Sequence, residues 1–264
     1  MGFDLKNLKK TGEMKPPRIL IYGPPGTGKT SLAASFPNPV ILDVEDGIPA
    51  GVEIATLGEI NSFQDVIDRL AALVKQDHDF KTLITDSLDR MEPLIWQHYC
   101  EENNYDSIES PGFGKGYTEV LDLWERYLKA CQILRRDKGM TIIHVAHSTV
   151  AKFDDPKVGP YSRYNSRLHT KANNLVQDDV DAILFVNQDV ALTKEDEGFG
   201  RESKRAEGGH ITWIYAAGKP GYVAKNRYGI PDELVYEDGE GFNTLEPYLP
   251  IEVEAEAPTK KKGA

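Results

Sequence analysis

Short apolar runs recur along the chain, each ending at a polar or glycine-rich break. Residues 17–22 (PRILIY) end at Gly-Pro-Pro-Gly, residues 39–44 (PVILDV) at an acidic cluster, residues 81–85 (KTLIT) on Asp86, and residues 140–146 (MTIIHVA) on His147; residues 181–186 (DAILFV) form a fifth run. Continuous runs of this length, rich in Ile and Val, predict strands buried on both faces. Between them the apolar spacing becomes helical, at Ile60, Phe63, Val66, Ile67, Leu70, Leu73 and Val74, and again at Leu121, Trp124, Leu128, Cys131 and Leu134. Residues 30–36 predict a short helix stopped by Pro37, and residues 88–100 a helix that Pro93 kinks or restarts. Strand and helix in alternation predict an α/β fold, a mostly parallel sheet with helices on both faces. Residues 211–216 and 221–225 flank a Lys-Pro-Gly turn and predict an antiparallel hairpin at one edge. Residues 103–117 read as a loop, 148–177 as a long polar stretch that forms the loop after His147, and 194–209, charged and Gly-rich, as a hairpin tip or loop. The ends read as a loose arm over 1–16 and a disordered tail over 251–264, leaving 17–250 as the folded domain.

Composition changes this picture little. A chain of 264 residues, 40% hydrophobic, is long enough for one α/β domain without disulfide staples, so Cys100 and Cys131 read as reduced thiols. No run approaches the roughly 18 apolar residues of a membrane span, which predicts a soluble, cytoplasmic protein with no membrane partner. The net charge of −11 excludes a uniformly basic nucleic-acid binder, though not a local basic patch.

The first break carries chemistry. Gly23-Pro24-Pro25-Gly26-Thr27-Gly28-Lys29-Thr30, followed by Ser31, joins an apolar strand to a helix in the pattern of a phosphate-binding loop. The glycines free the backbone so that its N–H groups point at phosphate oxygens, at the positive end of a helix dipole. Lys29 supplies a point charge to the outer phosphates, and Thr30 offers a hydroxyl to Mg²⁺. The expected ligands are therefore ATP and Mg²⁺. Asp86, ending the third run, is the expected second metal partner, through water. Hydrolysis also needs a group that orients water. The position after Asp86 is Ser87, so the nearest candidate carboxylates lie after the second run, at Asp43, Glu45 and Asp46.

A phosphate loop, a strand ending Asp-x-Glu and a strand ending Asp-Ser together resemble the RecA-like recombinase core, over roughly residues 17–231. The resemblance implies a RecA-like P-loop NTPase fold and gives Glu45 the role of catalytic carboxylate, with Asp43 and Asp46 as neighbouring alternatives. It places His147 where a polar residue senses the γ-phosphate. A His there, in place of the usual Gln, is similar to phage-encoded members linked to single-strand annealing and recombination. His144 reads either as a core residue or as a second polar group on the opposite face. Lys225 and Arg227, in Ala-Lys-Asn-Arg, match a place where RecA-like filaments reach into the neighbouring subunit's ATP, which implies a homo-oligomer with ATP at the interface. The extra N-terminal helix and C-terminal domain of full recombinases are missing from the pattern, so full strand exchange is not expected.

In that family, loops after the third and fourth strands bind DNA. Residues 151–177 carry Lys152, Lys157, Arg163, Arg167 and Lys171 against Asp154 and Asp155, a local net charge of +3. Tyr161 and Tyr164 interleave with them. Cations between aromatic rings suit single-stranded nucleic acid, which asks for phosphate neutralisation and stacking. The leading expectation is an ATP-hydrolysing protein acting on single-stranded DNA, with a single-strand-binding or replication protein as possible partner. The alternative is a nucleotide-switched loader or adaptor acting on a protein. A small-molecule kinase is a third reading, disfavoured by the lack of an arginine-rich lid.

Overall fold

The structure is a computed structural model that describes residues 15–196, 202–237 and 239–251. Its elements run β1 (Arg18–Gly23), α1 (Lys29–Ala34), β2 (Pro39–Asp43), β3 (Ala55–Thr56), α2 (Phe63–Lys75), β4 (Thr82–Asp86), α3 (Leu88–Asn103), α4 (Gly116–Glu119) and α5 (Leu121–Asp137). They continue with β5 (Thr141–Asp155), β6 (Gly159–Ser166), α6 (Thr170–Asp179), β7 (Ala182–Asp196), β8 (Glu202–Tyr215), β9 (Lys225–Asn226), β10 (Glu233–Tyr236) and α7 (Gly241–Leu245).

The strands form one sheet in the order β10-β8-β7-β1-β5-β4-β2-β3. From β7 to β3 every neighbouring pair is parallel, and β8 and β10 extend the β7 edge antiparallel. The apolar runs are continuous because both faces are covered. Alternate β1 residues serve opposite layers. Leu20 and Tyr22 pack with Phe63 and Leu70 of α2, Met91 of α3, Trp124 and Tyr127 of α5 and Val176 of α6. Ile19 and Ile21 pack with Leu32 of α1 and Phe242 and Leu245 of α7. The helix α2 begins where Ser62 accepts the N–H of Asp65, a side-chain N-cap. The predicted α/β sheet with helices on both faces is the one observed.

Three segments differ from expectation. Residues 148–177 are not a loop: β5 continues past His147 to Asp155, pairs antiparallel with β6, and is followed by α6. The turn Pro156–Val158 closes because Asp155 Oδ1 accepts the N–H groups of Lys157 and Val158, and Gly159 takes φ 84°. Period alone misses such an arm, since a projecting two-stranded ribbon leaves no apolar stripe. The edge hairpin is also formed by different residues. β8 pairs with β7 and with β10, while residues 221–223 turn away to Tyr164. Tyr222 packs on Phe185 and Tyr215, and β10 takes the edge that residues 221–225 would have needed. Finally, of the two readings of 194–209, the hairpin is the one observed, with residues 194–196 and 202–209 extending β7 and β8 well beyond a tip. Pro93 lies inside the single helix α3, which does not restart there. The expected arm and tail fall on residues 1–14 and 252–264, outside the described residues, apart from the points where they join the domain. Cys100 and Cys131 are free thiols. No helix among the described residues is long and apolar enough to cross a membrane.

Candidate functional site

The strand order decides the site. β1 carries the phosphate loop and β4 carries Asp86, but β5 lies between them, so His147 stands between the two. All three strands run parallel, and their carboxyl ends open on one edge, where ligands of such sheets bind. A cavity of about 270 Å³ lies there, lined by Pro25, Gly26, Gly28, Lys29, Thr30, Ser31, Glu45, Gly47, Pro49, Asp86 and His147.

Two glycines of the loop are required for different reasons. Gly23 ends β1 against β7, and a Cβ there would sit 2.0 Å from the Val186 carbonyl oxygen. Gly28 takes φ 77° and lies under the ring of Tyr236, whose hydroxyl donates to the Gly28 carbonyl. Lys29 is buried, and its ammonium donates to the Pro24 carbonyl at 2.8 Å. Burial pulls its pKa below the ordinary value, against the carboxylates of Asp86, Asp89 and Glu45, and the charge of Arg167 pulls it further down. Thr30 Oγ1 donates to Asp86 Oδ2 at 2.6 Å. Burial pushes the Asp86 carboxyl up to about 6, with the Thr30 bond opposing and the charge of Glu45 adding.

The acidic turn after β2 sorts its three carboxylates. Asp43 Oδ1 accepts the N–H groups of Glu45 and Asp46 and so shapes the turn. Asp46 is exposed at φ 55°. Glu45 alone of the three lines the cavity. Ser87, fully buried and joined to Asp86 by a cis peptide, donates its hydroxyl to Glu45 Oε2 at 3.0 Å. Glu45 Oε1 lies 3.8 Å from His147 Nε2 and 3.9 Å from Arg90 Nε.

Sequence reasoning missed Asp89. Its Oδ1 accepts the His147 backbone N–H at 2.8 Å, and its Oδ2 lies 3.0 Å from His147 Nδ1. The bonds from His147 outweigh burial and hold the Asp89 carboxyl below the usual carboxylate range. The imidazole is thereby oriented with Nε2 toward Glu45 and the cavity. The available signal was position: Asp89 sits in the first turn of the helix that follows Asp86-Ser87. His144 is the core alternative, fully buried, with Nδ1 2.9 Å from the Tyr127 hydroxyl; burial lowers its pKa to about 3.

The donor set fits Mg²⁺. Among the described residues no group of three or more His, Cys, Asp or Glu is arranged to hold a metal. The Thr30 hydroxyl and Asp86 carboxylate stand together, with Asp43, Glu45 and Asp89 nearby. One carboxylate, one hydroxyl, phosphate oxygens and water are what a magnesium–nucleotide site uses.

The residues expected to bind DNA separate into three places. Lys152, Lys157, Tyr161 and Arg163 are on the β5–β6 arm, where Arg163 lies 3.8 Å over the Phe153 ring and Phe153 meets Tyr161 edge-on. Tyr164 faces inward and stacks on Phe185, with ring centroids 5.1 Å apart, so its ring is committed to the core rather than offered to a base. Lys171 is in the first turn of α6, bonded to Thr118, and Arg167 lies beside His147. Lys225 and Arg227 are at the opposite edge of the sheet from the cavity. The Lys225 ammonium donates to the Gln177 and Val180 carbonyls at the end of α6, and Arg227 pairs with Asp181 at 3.0 Å.

Among solved structures, the chain is similar to the crystal structure of the RadB recombinase, at 16% identity and a TM-score of 0.42, covering 76% of this chain and 80% of that one. No curated protein matches it. A family profile, the AAA domain, matches residues 15–228, which include the phosphate loop, Asp86, His147 and the whole parallel sheet, and the chain belongs to that family.

Proposed function

We propose that this protein is a RecA-like ATPase that works as an oligomer on single-stranded DNA, in recombination or annealing of the phage-encoded kind. The observation that carries the reading is β5. One strand bears His147 at the cavity and, five and six residues on, Lys152 and Phe153 of the aromatic and basic arm.

The loop N–H groups and Lys29 receive the phosphates. Glu45, held by Ser87, orients the attacking water and accepts its proton; His147, fixed by Asp89, meets the γ-phosphate. Bound Mg²⁺, resting on Thr30 and Asp86, would neutralise phosphate charge. Phosphate contacts by Lys152, Lys157 and Arg163, and stacking on Tyr161 and Phe153, hold the strand of DNA. Lys225 and Arg227 serve the ATP of the adjacent subunit, since they lie too far around the sheet to serve their own.

ATP turnover with and without single-stranded DNA, for the wild type and Glu45→Gln, tests this. Turnover is expected to rise with DNA, and Glu45→Gln to lose about 100-fold or more in rate while still binding nucleotide. Intact turnover with no DNA binding at low salt would leave the loader or adaptor reading in its place.

A further inference from the structure

We propose that Tyr236 is a positioning residue of the nucleotide site: its ring, wedged between two glycines, holds Gly28 and so keeps the phosphate loop in the shape that receives the phosphates common to ADP and ATP. The proposal deepens the nucleotide-site reading and rests on it.

The phosphate loop has little internal restraint where it becomes a helix. α1 has six residues, and its N-cap, Gly28, has no side chain to close the first turn. A glycine at φ 77° is free to leave that conformation, and so short a helix adds little order of its own. The restraint comes from the far end of the chain. β10 pairs with β8, Tyr236 opposite Thr212, and carries the Tyr236 side chain to the loop. The ring is buried there, in a slot between Gly28 and Gly241. A Cβ on Gly28 would stand 2.9 Å from its Cε1, and one on Gly241 would stand 3.0 Å from its Cε2. Neither glycine could carry a side chain without displacing the ring. The hydroxyl donates to the Gly28 carbonyl at 3.3 Å, the same oxygen that accepts the Leu32 N–H at 2.8 Å and starts α1.

The hold continues along the helix. Gly241 opens α7 against α1, so close that a Cβ there would lie 2.2 Å from Leu32 Cδ1. The Phe242 N–H donates to Ser35 Oγ at the α1 C-cap at 2.9 Å, and its ring lies 5.0 Å from that of Phe36. β10 and α7 therefore grip α1 at both ends. Lys29 and Thr30 are the first two residues of that helix, so their places follow from the grip. Tyr236 is not among the residues that line the cavity, and it acts through Gly28. Loop N–H groups cradle the inner phosphates. A loosened loop therefore costs ADP and ATP alike, while bond breaking, which belongs to Glu45 and His147, proceeds as before once the nucleotide is bound.

The test uses Tyr236→Leu, Tyr236→Phe and Gly241→Ala in the full chain. Three readouts are followed: binding of fluorescent ADP and of a fluorescent non-hydrolysable ATP analogue, KM and kcat for ATP turnover, and the urea midpoint. Tyr236→Leu is expected to weaken both nucleotides equally, by about 10-fold, and to raise KM by as much while kcat stays within about threefold. Tyr236→Phe keeps the ring in its slot and should hold affinity within about threefold of wild type. Gly241→Ala crowds the ring from its other side and should reproduce the equal weakening, so the test does not depend on one variant folding. ADP affinity within about twofold of wild type in both Tyr236→Leu and Gly241→Ala overturns the proposal whatever the urea midpoints, since the ring would then serve stability alone. Weakening of the ATP analogue with ADP unaffected also overturns it, because the loop contacts shared by both nucleotides would then be intact. Unaltered ADP binding by Lys29→Ala would instead overturn the nucleotide-site reading underneath.

Discussion

His147 is held by a chain of acids along one face of α3. Asp89 takes both its backbone N–H and its ring, and Glu92, one turn on, takes the N–H of His169. His169 in turn stacks on Tyr117 at 4.0 Å between centroids. Burial pushes the Glu92 carboxyl up from 4.5 to about 7, with the charge of Asp89 adding and the His169 bonds opposing. A pKa raised on folding means that the folded chain binds the proton more tightly. Its stabilising contribution is full below the unfolded pKa and is lost as pH rises through the folded one. Glu92→Gln, neutral throughout and still an acceptor, is therefore expected to exceed wild type in stability by about 1–3 kcal/mol near pH 8 and by roughly nothing near pH 4. Urea unfolding at the two pH values checks this; an equal difference at both would refute the titration. Lys29, Thr30 and Asp86 were legible in the sequence because their chemistry depends on neighbours along the chain. Asp89, Glu92 and Ser87 were not, because their roles appear only when α3 starts beside the end of β5. The place of Arg167 beside His147 was hidden for the same reason, and that of Tyr164 because alternation along an unrecognised strand sends it inward.

At the scale of elements, the apolar runs predicted the central strands and the large helices, since these are buried on both faces or on one stripe. The β5–β6 arm was hidden. Its backbone pairing needs no apolar signature, and the Asp-Pro-Lys-Val-Gly turn was the overlooked local sign. As a strand pair rather than a loop, the arm presents its side chains on two faces. Phe153, Tyr161 and Arg163 share one, and Lys152 lies on the other. Replacing Lys152, Lys157 and Arg163 together by Ala is expected to weaken single-stranded DNA binding and to reduce the slope of log affinity against log salt by about 2, one contact being worth about 0.7. Fluorescence anisotropy titrations across salt concentrations measure that slope; an unchanged slope would place the DNA elsewhere. Phe153→Ala, which removes the ring under Arg163, is expected to weaken binding without changing the slope, since it removes stacking and not charge.

At the scale of the whole molecule, the two edges of the sheet have opposite characters. One gathers the carboxylates around Lys29. The other gathers Arg18, Arg135 and Arg227 on Asp181, with Lys225 beside them. Successive copies stacked edge to edge would bring the cationic edge of one onto the acidic edge of the next. A chain with Lys225→Ala and Arg227→Ala keeps its own phosphate loop, and a Lys29→Ala chain keeps its cations. If the cations act across the interface, mixing the two inactive proteins should give turnover above the sum of the separate ones, and no recovery in the mixture would confine these residues to holding α6 and β7. Asp181 retains Arg18 and Arg135 in the double variant, so folding should survive. The sequence suggested this arrangement only through a family likeness, because opposite edges cannot be told apart along one chain. The unbroken course of β5 has a further consequence for descent. One residue added between His147 and Asp155 would turn over every side chain beyond it. The turn Pro156–Val158 is past the last pairing, so a lineage of this protein is free to gain or lose length there without shifting the register of β5 on β6 or moving His147.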